Sequence, residues 1–144
     1  MTVVVGVKAG SSTAAIRLAR TEADYRKVPL VAVMAHGTDS ALGTPGGRPL
    51  SMPPSEADRH EAAESTLRQA VTEALGDQAA GVQLLVIAGT ASSVLVQAAR
   101  KLDADLVVLS RRPVHSPAWL LGEVSQHVLR NAPCPVLIVP ETDS

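Results

Sequence analysis

The sequence predicts an α/β fold, an open parallel sheet of five strands with helices on both faces. Five short apolar runs rich in β-branched residues alternate with longer amphipathic segments: Thr2–Val7, Leu30–Ala35, Gln83–Ala88, Asp105–Ser110 and Val136–Val139. Each run is near-continuously apolar instead of alternating, which suits strands covered on both sides. The 144 residues fit a single domain, 1–144, long enough to bury roughly two-thirds of the surface that the unfolded chain exposes.

The connecting segments read as helices. Ser12 to Arg26 sets Ala15, Leu18, Ala19 and Ala23 on one stripe with Arg17, Arg20 and Glu22 largely outside it, and Ser11 or Ser12 supplies the N-cap. Pro53-Pro54 ends the loop before the second helix, where Ser55 and Asp58 resemble a capping box. That helix turns Ala63, Leu67, Ala70, Val71 and Ala74 inward, and Gly76 offers a left-handed C-terminal cap. Ser92 to Leu102 carries Leu95, Ala98, Ala99 and Leu102 in one stripe, and Trp119 to Asn131 carries Leu120, Val124 and Val128. The connection 37–54 is rich in glycine, proline and serine and longer than a strand-to-helix loop requires; its composition predicts a flexible, disordered loop in preference to a lid.

Composition removes several function classes. Thirteen basic against 14 acidic residues leave a net charge of −1, which supplies no field for nucleic acid or anionic lipid. Trp119 and Tyr25 are the aromatics, with no Phe, too few for a base-stacking platform. A single cysteine, Cys134, excludes an intrachain disulfide and a multi-cysteine zinc site; between Pro133 and Pro135 it reads as a small packed hydrophobe. No apolar run approaches the ~20 residues of a membrane helix and the chain enters a strand at once, so a soluble cytoplasmic protein is expected. His36, His60, His115 and His127 lack ligand spacing, and Ser11, Ser12 and Ser110 lie in no nucleophile elbow. A phosphoacceptor fold of the receiver type fails on chemistry, because Lys8 and Ala88-Gly89 stand where it needs acids.

Four segments carry a resemblance: Val5-Gly6-Val7-Lys8-Ala9-Gly10-Ser11, Ala104-Asp105-Leu106-Val107-Val108, Leu121-Gly122-Glu123-Val124-Ser125 and Ala132-Pro133-Cys134-Pro135-Val136-Leu137-Ile138-Val139. The chain resembles the universal stress protein family over nearly its whole length apart from 37–54, most specifically in its C-terminal third. The resemblance implies strand order 3-2-1-4-5, a Rossmann-like sheet of the adenine nucleotide alpha hydrolase type, and homodimerisation through the last strand. With that order the direction of winding reverses between strands one and four, and ligands bind such sheets in the crevice at the carboxyl ends there. Loops 8–13 and 110–118 then flank the site, whose candidate residues are Val7, Lys8, Ala9, Gly10, Gly89, Ser110, Arg111, Arg112, Gly122 and Glu123.

ATP-binding members resemble one another in a loop of glycine, two residues, glycine, nine residues, then glycine with serine or threonine. Aligned without gaps back from Gly122, this chain has Leu109, Arg112, Gly122 and Glu123 at those positions. Arginine for glycine adds a Cβ that disfavours positive φ, Pro113 removes a backbone donor, and Glu123 repels phosphate where a hydroxyl is usual. Lys8 stands where family members carry an aspartate. The expectation is a non-enzymatic, dimeric stress-response or regulatory module that does not bind ATP and takes no metal or cofactor, with a regulatory protein as a further partner. The alternative is a nucleotide- or anion-binding sensor using the side chains of Lys8, Arg111 and Arg112. Two simpler assignments stay open: the bases form a solvated face, or Lys8 pairs with Glu123. Pro135 and Pro140 bracket Val136, Leu137, Ile138 and Val139, a protected edge suited to pairing with its own copy.

Overall fold

The computed structural model describes residues 1–8, 12–37, 55–111 and 122–141. Its elements run β1 (Thr2–Gly6), α1 (Thr13–Arg26), β2 (Leu30–His36), α2 (Glu56–Leu75), a 3-10 segment Gly76–Gly81, β3 (Gln83–Ala88), α3 (Ala91–Lys101), β4 (Ala104–Arg111), α4 (Glu123–Asn131) and β5 (Val136–Pro140). All strand pairs are parallel and the order is β3-β2-β1-β4-β5, as the resemblance implied. All five strands lie at the expected positions, with ends moved by a residue or so.

The central strand explains the layering. Val3, Val4 and Val5 are each fully buried, so β1 must be covered on both faces. Val3 and Val5 point to α1 and α2, where they meet Ile16, Leu30, Leu67, Val71 and Val108. Val4 points the other way, toward Leu95, Val107, Leu109 and Val128 beneath α3 and α4. The period of two along the strand thus feeds two separate cores. Ile16 and Val94 are buried though neither belongs to the expected stripes. The buried face of each helix is therefore wider than one narrow stripe.

Local chemistry sets the helix boundaries. Ser55 caps α2 through a capping box: Asp58 N–H donates to Ser55 Oγ at 3.1 Å, and Ser55 N–H donates to Asp58 Oδ2 at 3.3 Å. Gly76 follows α2 but is not the expected left-handed cap; with φ 58° and ψ −122° it leads directly into the 3-10 segment. Lys27, not a glycine, takes the left-handed conformation after α1, with φ 59° and ψ 45°. α3 begins one residue earlier than expected, after Thr90. The expectations for 38–54 and for residues 119–121 of the last helix lie outside the described residues. Among the described residues no helix is long and apolar enough to cross a membrane.

Leu67 is wholly buried between α2 and the sheet, whereas Leu129 on α4 is 44% exposed. Leu67→Ala is expected to lower the unfolding free energy by about 2–5 kcal/mol, and Leu129→Ala to change it by no more than about 0.5 kcal/mol. Urea unfolding followed by circular dichroism measures both.

Candidate functional site

β1 and β4 are neighbours, and the chain leaves them toward opposite faces, β1 into α1 and β4 toward α4. The carboxyl ends of these strands therefore part around a crevice. It contains a cavity of about 40 Å³ lined by Gly6, Val7, Lys8, Val33, Ala35, Ala91, Leu95, Leu109, Ser110, Val124 and Ser125. A single water needs roughly 10–15 Å³ on such a measure, so the described walls leave room for only a few small atoms.

Close packing keeps it small. A Cβ added to Gly6 would lie 2.9 Å from Leu95 Cδ2 and 3.0 Å from Leu109 Cδ2. The two leucines thus close over the end of β1, and glycine is what lets them do so. Lys8 is exposed at the rim, while Ser125 is buried in the wall.

The crevice is tied together by one hydroxyl. Lys8 N–H donates to Ser12 Oγ at 2.9 Å, and Ser12 Oγ lies 3.3 Å from the Lys8 carbonyl oxygen and 3.4 Å from Ser110 Oγ. A hydroxyl has one proton, so when Ser12 donates to the Lys8 carbonyl, the Ser110 hydroxyl donates to Ser12. Ser12 occupies the N-cap position of α1, as expected, but makes no side-chain cap. The capping anion comes from elsewhere: Ala14 N–H and Ala15 N–H donate to Glu141 Oε1 and Oε2, each at 2.9 Å.

Of the residues expected at the site, Val7, Lys8 and Ser110 line the cavity. Arg111 is not part of a loop after the fourth strand; it ends β4, half-buried, and pairs in register with Pro140. Gly122 and Glu123 open α4, exposed, beside the cavity wall formed by Val124 and Ser125. Gly89 lies at the far edge, where its N–H donates to the His36 carbonyl at 2.9 Å, and it does not line the cavity. Lys8 and Glu123 form no ion pair with each other among those of the described residues. Ala9, Gly10 and Arg112 lie outside the described residues.

Residues that sequence reasoning missed are chiefly apolar: Val33 and Ala35 from β2, Ala91 and Leu95 from α3. Nothing in their local pattern separates a cavity wall from ordinary core. Glu141 was missed too, although a lone acid directly after an apolar strand is a usable signal. Cys134 is half-buried; burial, and secondarily the nearby Asp105 carboxylate, pushes its thiol pKa up from the ordinary cysteine value. That direction disfavours the thiolate and suits a packing residue. Among the described residues no cluster of three or more His, Cys, Asp or Glu can hold a metal ion.

Known proteins agree with this architecture. The sequence model of the universal stress protein family matches residues 1–140. Among solved structures, the universal stress protein UspA from Lactobacillus plantarum superposes with a TM-score of 0.68 at 22% identity, covering 96% of this chain and 97% of that one. A universal stress protein in complex with cAMP gives 0.62 at 23% identity, covering 99% and 98%. One from Archaeoglobus fulgidus in complex with dAMP gives 0.62 at 19% identity, covering 96% and 97%.

Ser12→Ala leaves the Lys8 N–H without its partner in a part-buried position. The variant is expected to lose about 1–3 kcal/mol of unfolding free energy, and Ser12→Thr, which keeps the hydroxyl, to lose less. Thermal unfolding of the two variants beside the parent tests this.

Proposed function

The chain belongs to the universal stress protein family, and from that membership we propose that it is a non-enzymatic, dimeric stress-response module that does not carry ATP in its crevice. The observation that carries the proposal is the crevice itself: a cavity of about 40 Å³ walled mainly by apolar side chains, with Lys8 at its rim. Clefts that hold drug-sized ligands run to roughly 300–1,000 Å³. Leu109 stands where the ATP-binding members' first loop glycine falls, and its side chain is packed beside Gly6. Glu123 adds a negative charge at the start of α4, where a phosphate would otherwise be favoured. No general base, nucleophile and orienting group occur together at the described walls, and an enzymatic reading would need all three in named roles.

A second reading has specific support, since two structural relatives are complexes with cAMP and with dAMP. In that reading Lys8, Arg111 and Arg112 bind a nucleotide or another small anion by side chain. Affinity would then fall with rising salt and with Lys8→Ala. Mass spectrometry of small molecules released on denaturing the purified protein separates the readings. We expect no nucleotide; ATP or AMP at one equivalent per chain contradicts the first reading and favours the second.

The dimer would form through β5. Its residues Val136, Leu137 and Ile138 are apolar yet only half-buried, and prolines stand before and at the end of the strand. Such an edge resists open-ended extension while leaving a short stretch able to pair about a two-fold axis. Leu137 packs on the α1/α2 core and Val136 on the α3/α4 core, which leaves Ile138 the cleaner probe. Ile138→Arg is expected to convert a dimeric mass to a monomeric one in light scattering. A dimer of unchanged mass would place the interface elsewhere. A regulatory protein partner would be reached through the remaining surface of such a dimer.

A further inference from the structure

The histidines lack ligand spacing along the sequence, yet the fold brings two of them together. β2 alternates its side chains between the two layers, so His36 falls on the same face as Leu30, Ala32 and Met34, toward α2. It is 9% exposed, and its Nδ1 has no hydrogen-bond partner among the described residues. A polar atom shut away from water in this way is unfavourable, and nearly all such atoms are satisfied by protein, ordered water or an ion. His60, in the second turn of α2, lies against it with ring centroids 5.5 Å apart and planes at 90°. Unlike His36 it reaches solvent, its side chain being 49% exposed, and its Nε2 lies 4.0 Å from Glu64 Oε2. Glu56 stands one turn before His60 and Glu64 one turn after, so acidic residues flank it on both sides.

We propose that His36 and His60 together form a binding site for a divalent transition-metal ion, with zinc the representative case. Imidazole nitrogen suits zinc, copper and nickel as a donor. Two imidazoles that share one ion at the ~2.0–2.1 Å of a zinc–nitrogen bond and a tetrahedral angle hold their ring centroids roughly 5 Å apart. A shift of about half an ångström therefore closes the observed pair on an ion between them. Glu64 then takes the part a carboxylate commonly plays behind a metal-bound histidine: accepting from Nε2–H, it leaves Nδ1 of His60 as the donor. Water fills the remaining positions, since no cluster of three or more His, Cys, Asp or Glu can hold a metal ion among the described residues. Two protein donors make an exchangeable site, unlike the closed four-ligand sites of structural zinc. The neighbouring Ala35 lines the crevice on the opposite face of β2, so the sheet separates the two sites and nucleotide in the crevice has no bearing on the metal.

The experiment adds zinc chloride to the full-length protein in a non-chelating buffer, measures binding by isothermal titration calorimetry and follows the histidine ring nitrogens by long-range ¹H–¹⁵N NMR. One equivalent is expected to bind, shifting the Nδ1 signals of His36 and His60 and leaving those of the other two histidines in place. Magnesium chloride at the same concentration is expected to shift neither, because that hard cation prefers oxygen ligands. His60→Ala, at an exposed position, is expected to fold and to bind zinc at least about tenfold more weakly, and Glu64→Ala to bind it about tenfold more weakly with the one-to-one stoichiometry kept. Absence of saturable binding by the parent, an affinity unchanged in His60→Ala, or shifts confined to the other histidines overturns the proposal.

Discussion

Burial of the central strand is the constraint from which the rest of the molecule follows. Val3, Val4 and Val5 expose no surface, and β1 is hydrogen-bonded to β2 on one side and β4 on the other. A strand so placed needs a helical layer on each face, and the chain supplies α1 with α2 and α3 with α4. Parallel strands then send α1 and α4 away from the same end of the sheet, so the positive ends of both helices gather near one crevice. Whatever occupies that crevice must satisfy backbone donors and positive dipoles.

In this protein the chain's own groups do much of that work. Glu141 caps α1, the Ser12 hydroxyl takes the Lys8 N–H, and the Leu95 and Leu109 side chains fill the space above Gly6. The Glu141 backbone also continues the β4–β5 ladder by bonding Arg111. The cap of α1 and the end of the edge strand therefore share one residue.

Much of this was legible in the residues. Near-continuous apolar runs located all five strands, and Ser55 with Asp58 marked the start of α2, because both signals are local. Strand order came from family likeness, since parallel neighbours such as β1 and β4 are separated by about a hundred residues of sequence. Val7, Lys8 and Ser110 were placed at the crevice because they lie at or just beyond the ends of apolar strand runs. Val33, Ala35, Ala91 and Leu95 were not, since an apolar residue reads the same in a wall as in a core. Glu141 escaped because its partners, Ala14 and Ala15, lie at the other end of the chain and carry no side-chain signal at all. Gly89 was placed at the crevice by its position after a strand, but that strand is the far edge of the sheet.

Internal groups take up the Lys8, Ala14 and Ala15 N–H donors beside the crevice. Amides at a helix start ordinarily lack partners and exchange with solvent quickly. Amide hydrogen exchange of the ligand-free protein, repeated with excess ATP, tests the claim most directly. The Lys8, Ala14 and Ala15 amides are expected to be protected without ligand and unchanged by ATP. Rapid exchange at these three amides in the free protein, with protection appearing only when ATP is added, would contradict it.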